Sequence, residues 1–278
     1  MPVRATVAGM TTPAEVFLRD YHDRNPAAAS ELAERGRVGG RTVYEAFADR
    51  VGPVRRLLDL GCGDGALLAV LAARGAEKLA GIDLSARQLD VARRRPGLKK
   101  ADLRPGRAQE LPFADGAFDA VVSHMALMLM ADVKQVVAET ARVLGPGGTF
   151  AIAVGGGGID ALEVFLKVAR PLFAVVPPER RVPTSGDPRT RTREGLDELL
   201  APAGFAPVEW HEAVVDLSGP LDRVWQTCQD TYYQMDALDE TQLAGLQTAF
   251  KVATRPLLAP DGILPAGVRV NVAVTRLK

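Results

Sequence analysis

The apolar positions of this chain follow a regular rhythm between residues 54 and 154. "VRRLLDL" is a strand-length apolar run that ends at a glycine. "GALLAVLAARG" has helical period and is closed by Gly75, and "EKLAGIDL" is strand-like. Ser85 with Gln88 predicts a capping box ahead of the helix "ARQLDVARRR", with Pro96 just beyond it. A weak strand falls near 101–107, and a clear one, "AFDAVVSH", follows the Asp115-Gly116 turn. "DVKQVVAETARVL" reads as a helix capped by Asp132 and stopped by Gly145-Pro146, and "TFAIAV" as the next strand. Strands alternating with helices in this way predict an α/β fold: a mostly parallel sheet with helices on both faces.

The flanks read differently. Thr12, Pro13 and Glu15 predict a capped helix through "AEVFLRDYHDR". Asn25-Pro26 ends it, a second helix runs through "AAASELAERG", and a third is expected at "RTVYEAFADRV". After Val154, four glycines (155–158) lead into an apolar helix around 159–176, and "VPPERRVPTSGDPRTR" reads as an exposed loop. "TREGLDELLAPAGF" predicts a helix, "APVEWHEAVVDL" a strand, and residues 219–256 more helix. "GVRVNVAVTRLK" alternates like a strand solvated on one side. The expected organisation is an N-terminal helical lid over 1–52 and an α/β core over 53–218 and 263–278. A helical insertion over 219–262 precedes the last strand and forms part of the acceptor site.

Composition narrows the functions. Of 278 residues, 47% are hydrophobic, enough for an extended core. Lys plus Arg balance Asp plus Glu at 34 each, so no excess positive charge is available for a nucleic-acid backbone. The two cysteines, Cys62 and Cys228, suit neither a disulfide framework nor a zinc site, and the three histidines lack metal-type spacing. The first twenty residues lack the apolar core of a leader, and "MALMLMA" is too short to span a bilayer. These features predict a cytoplasmic protein with no membrane, nucleic-acid or metal partner.

The stretch "LLDLGCGDG" carries the chemistry. Gly61, Gly63 and Ala66 satisfy a dinucleotide-binding fingerprint, and Asp83 lies at the distance expected of a ribose ligand. Yet Asp59 and Asp64 flank the turn, and like charges about 4 Å apart repel by roughly 1 kcal/mol in water and more in a cleft. A cationic nucleoside reverses that sign. S-adenosylmethionine has a sulfonium, an ammonium, one carboxylate and no phosphate; Asp59 suits the ammonium, a helix N-terminus the carboxylate, and Asp83 the ribose. The competing reading, a nicotinamide-dependent oxidoreductase, needs a proton donor such as Tyr-x-x-x-Lys, which the sequence lacks.

"LLDLGCGDG", "GIDLS", "RAQELPF", "FDAVVS" and "RVLGPGG" resemble, in order and spacing, the motifs of class I S-adenosylmethionine-dependent methyltransferases. The likeness is to the small-molecule branch that includes the ubiquinone and menaquinone methyltransferases. The resemblance implies a Rossmann-like sheet of seven strands with the last antiparallel. It implies that Asp59, Gly61, Gly63 and Gly65 contact the methionine part, Asp83 the ribose, Leu84 one face of the adenine, and Ala108 and Gln109 its edge. Ser123 and His124 would line the cleft beside the methyl group, Tyr21 would be a lid contact, and His22 or His124 a proton acceptor. The ordinary structural reading stands beside these for several residues. Arg93 to Arg95 read as a solvated helix end, "MALMLM" as core packing or an apolar wall, and most of Trp210, Trp225, Tyr232 and Tyr233 as core. A protein of this fold that binds the cofactor without transferring methyl is a third reading. The motifs name neither the acceptor nor the oligomeric state, but the apolar flanks suggest a small, moderately apolar acceptor.

Overall fold

The computed structural model describes residues 12–278. Residues 1–11, the start of the expected N-terminal unit and of the stretch read for a leader, lie outside the described residues. Seven strands form the core: β1 (Arg56–Leu60), β2 (Lys78–Asp83), β3 (Asp102–Pro105), β4 (Phe118–His124), β5 (Leu144–Asp160), β6 (Glu209–Asp216) and β7 (Ala266–Arg276). Their order across the sheet is β6-β7-β5-β4-β1-β2-β3. β1 to β5 pair in parallel, and β7 runs antiparallel between β5 and β6.

The sheet has nine strands rather than the expected seven. Arg37–Val38 and Arg41–Thr42 form a short hairpin that adds to the β6 edge, where Arg37 pairs with Asp216. The glycines 155–158 continue β5 instead of breaking it. Ladder pairing with β7, Val268 opposite Gly158 and Arg269 opposite Gly157, holds a segment whose own sequence favours a loop. β7 is likewise not half-solvated. It lies inside the sheet, and Ala273 and Thr275 are buried on the face that also carries Arg269 and Asn271.

The helices are α1 (Pro13–Arg24), α2 (Ala28–Arg35), α3 (Val43–Val51), α4 (Ala66–Ala73), α5 (Ala86–Ala92), α6 (Val133–Val143), α7 (Ala161–Ala174), α8 (Arg193–Leu200), α9 (Leu221–Thr231) and α10 (Glu240–Thr254). The Thr12–Glu15 box closes α1 as expected, and an unforeseen Thr42–Glu45 box closes α3. Two caps differ from expectation. Ser85 Oγ accepts from Gln88 N (3.1 Å), but the Gln88 side chain donates to Pro26 O (3.2 Å) instead of returning to the cap. Asp132 adopts φ 44° and makes no side-chain cap bond. No helix among the described residues is long and apolar enough to cross a membrane.

Strand alternation sorts the core onto two faces. Leu57 and Val122 join the core that includes α3, α4 and α7, whereas Leu58, Leu60 and Val121 join the core under α6 and α8. Asp59 shares the parity of Leu57, and His124 that of Val122. Both therefore emerge on the first face, at the C-terminal ends of their strands, where ligands gather in sheets of this kind. α9 and α10 pack on α7 through Phe165, Trp225 and Phe250, with ring centroids 5.6–6.1 Å apart. Pairing of Gly219–Pro220 with Ile263–Leu264 closes the base of this insertion.

Candidate active site

A cavity of about 290 Å³ opens on that face and runs across the strand ends from β2 to β6. α1, α2 and α3 cover it, with Asp230, Thr231 and Tyr233 from the end of α9 and the turn after it. The lining includes Asp59, Gly61, Gly63, Asp83, Leu84, Ala108, Gln109, His124, Tyr21 and His22, ten of the twelve residues picked from sequence.

Gly65 and Ser123 lie apart from it. Gly65 is the left-handed N-cap of α4 (φ 77°), and a Cβ there would lie 2.7 Å from Leu98 and 2.9 Å from Ala92, so this glycine serves packing. Ser123 is fully buried. Its hydroxyl donates to Leu60 O (3.1 Å) and accepts from Leu127 N (3.0 Å), which ties β4 to β1 and to the following turn.

The two acids of the glycine turn have opposite environments. Asp64 is not a free charge: Arg95 makes an ion pair with it, and Ser30 Oγ donates to its Oδ2 (2.6 Å). Arg95 is thus a structural partner of the turn, not a solvated helix end. Asp59 has no such partner. It is 1% exposed, and its Oδ1 is buried without a hydrogen bond. Burial, aided by the nearby charge of Asp83, pushes its carboxyl up to about 8. An unpaired buried carboxyl of this kind costs stability until a donor or cation reaches it.

Asp83 is prepared differently. Ser85 N donates to Oδ1 (2.8 Å) and Gly63 N to Oδ2 (2.9 Å), which fixes the carboxylate plane. Each oxygen keeps a lone pair for a vicinal diol. Burial raises its pKa, against those backbone bonds. Ser85 Oγ donates to Asp23 Oδ1 (2.6 Å), which docks the end of α1 beside this acid. The start of α1 is docked as well: Arg107 donates to Glu15 (2.8 Å), and Gln109 donates to the same carboxylate (3.5 Å). Glu15 looked in the sequence like a capping residue alone. Its second role depends on a contact 92 positions away, which no local pattern records.

The histidines also differ. His22 is occupied: its Nε2 lies 3.0 Å from the Tyr233 hydroxyl, and the Gln88 amide approaches Nδ1 at 3.5 Å. His124 packs its ring against Tyr44 and Phe47 (centroids 5.0 and 5.3 Å), and its buried Nε2 has no partner. Burial lowers both to about 4, so both are neutral near pH 7. Asp59 stands level with Val122, so His124 lies two residues, roughly 6.6 Å, further along the neighbouring strand. The chain then turns sharply at Met125, whose φ is 57°, an unusual value for a side-chain-bearing residue. That turn brings Ala126 over Gly61, where an added Cβ would lie 2.5 Å from the alanine methyl. Met125, Met128 and Met130 all reach the cavity wall, and of the C-terminal aromatics Tyr233 lines it, while Trp225 and Tyr232 pack around Phe165.

Residues 58–152 match the family model described as a methyltransferase domain. The methyltransferase GfsG of Streptomyces halstedii is 37% identical over 133 residues, covering 46% of this chain and 47% of that protein. The demethylmenaquinone methyltransferase of Symbiobacterium thermophilum is 38% identical over 104 residues, covering 35% and 41%. The chain spans less than half the length of these two relatives. Among solved structures, the [4+2]-cyclase SpnF has the same fold, with a TM-score of 0.59 at 20% identity over 98% of each chain. The match over 58–152 and the named relatives identify a methyltransferase domain in this part of the chain, where the sequence motifs lie.

Proposed function

We propose that the protein transfers the methyl group of S-adenosylmethionine to a small, moderately apolar acceptor by direct displacement. The observation that carries this reading is Asp59, a buried carboxyl with one oxygen unpartnered beside a glycine turn whose other acid is already neutralised. The pocket fits the cofactor: Asp59 would pair with the ammonium, Asp83 would accept from the ribose hydroxyls, and Leu84, Ala108 and Gln109 would border the adenine. Gly61 and Gly63 would border the methionine part, and Tyr21 would close the pocket from α1. When bound, the cofactor supplies an activated methyl group on a good leaving group.

The protein's part is alignment and exclusion of water. Positioning two reactants at roughly 3–3.5 Å can contribute about 7–11 kcal/mol in favourable cases. His124, neutral and without a protein partner, serves as the proton acceptor where the substrate carries a proton. His22 acts through Tyr233, since both of its nitrogens already have neighbours. Calorimetric titration with S-adenosylmethionine and with NAD tests the reading. Micromolar binding of the first alone supports it, and binding of NAD alone refutes it.

A second reading, cofactor binding without methyl transfer, draws on the fold shared with the [4+2]-cyclase. Release of S-adenosylhomocysteine during turnover separates the two.

A further inference from the structure

The cavity changes character along its length. Its β2–β1 end carries Asp83, Asp59 and Asp64. Beyond His124 its walls are Leu32 and Ala33 of α2, Val43 and Tyr44 of α3, and the strand residues Val215, Leu217, Val268 and Val270. These side chains form one surface: a Cβ on Gly36 would meet Val215, Leu217 and Val43 together, and Val268 stands opposite Val215 in the ladder. Two cations line the cavity among the described residues, and a carboxylate holds each. Arg107 is bound by the buried Glu15 (2.8 Å), and Arg19 by Asp20 (3.0 Å). The remaining charged groups of the lining are acids. Asp230, at the end of α9, accepts from Gln226 (2.8 Å).

From this arrangement, and resting on the methyl-transfer reading above, we infer that the acceptor is an uncharged apolar molecule bearing a phenolic or enolic hydroxyl, and that His124 receives its O–H. A carboxylate acceptor would enter a cavity whose unpaired charges share its sign and would find no free cation there. An ammonium acceptor would have to shed its hydration against an apolar wall. A neutral hydroxyl satisfies the one polar side-chain atom that borders the apolar end buried and without a partner. In the reaction the acceptor oxygen forms the bond to the methyl carbon, and the carbon–sulfur electron pair stays on sulfur. The hydroxyl proton passes to His124 and then to water. The strained turn at Met125 fixes the ring between the methionine subsite and the apolar end.

The test is calorimetric binding of four probes to the S-adenosylhomocysteine-loaded protein: 4-propylphenol, 4-propylbenzoate, 4-propylbenzylammonium and propylbenzene. The phenol is expected to bind at least tenfold more tightly than the benzoate or the ammonium. His124→Phe, which keeps the ring packing, should weaken phenol binding at least fivefold and leave propylbenzene and S-adenosylhomocysteine within threefold. His124→Ala should repeat the pattern. Tighter binding of either charged probe, no binding of the phenol, or a phenol affinity unmoved in both variants overturns the inference. Should S-adenosylhomocysteine itself not bind the wild-type protein, the methyl-transfer reading fails instead; the same probe series on the unloaded protein then decides the hydroxyl preference separately.

Discussion

The two ends of the cavity are built on one face of one sheet, yet they obey different rules. At the β2–β1 end, the proposed cofactor site rests on a few polar atoms in fixed positions: Asp83 locked by two backbone N–H groups, Asp59 left unpaired, Asp64 neutralised by Arg95. At the β7–β6 end the wall is mainly apolar surface from helices and strands distant in sequence. A polar site is specified atom by atom because each unsatisfied group is costly. An apolar wall is specified by volume and tolerates exchange of side chains of similar size.

The sharpest way to break this contrast is Arg95→Ala. It would leave Asp64, Ser30 and the turn with a buried unpaired carboxylate, and removing one partner of such a pair is strongly destabilising. Because the guanidinium is partly exposed, a loss of about 3 kcal/mol is expected by denaturant titration.

Asp59→Asn should act in the opposite sense on stability while weakening cofactor binding by about 100-fold, within the range for losing one buried charge partner. The folded carboxyl, at about 8, lies above its ordinary 3.8. Its contribution to stability is therefore fully present below about pH 4 and lost as pH rises to about 8. The melting temperature of the unliganded variant should exceed wild type, by a margin that widens through this window and levels off above it. A margin that is flat with pH would show that Asp59 is not the raised group.

The same group predicts a proton-linked affinity. An ammonium prefers the carboxylate, so binding at pH 7 should release close to one proton. Affinity should fall by up to tenfold per pH unit below about 8. Titration in buffers of different ionisation heat measures the release, and a heat independent of buffer would contradict it.

The smallest effect belongs to the apolar side. Thr42→Ala removes the capping box of α3, next to Val43 and Tyr44, and should cost about 1 kcal/mol while leaving cofactor affinity unchanged. A change in that affinity would mean that the two ends are coupled.

The glycine turn and Asp83 were legible because their logic is local: a strand, a tight turn and a helix within thirty residues dictate where those atoms point. Gly65 was legible only as part of the motif; its packing against Leu98 and Ala92 required the folded chain. Ser123 looked available from its strand-end position, yet its hydroxyl is used twice inside the sheet. The glycines after Val154 suggested a break, and a neighbouring strand overrode that preference.

The sequence alone determined the alternating α/β core, the motif order from residue 57 to 148 and the demand for a positively charged nucleoside, because periodicity and turn chemistry act between near neighbours. Only the tertiary structure decided which acid of the turn stays unpaired, which histidine is left without a partner and where the apolar wall lies. Those outcomes depend on partners such as Arg95, Tyr233 and Val215, brought from tens to hundreds of residues away, and a charge or a cavity is defined by everything that surrounds it.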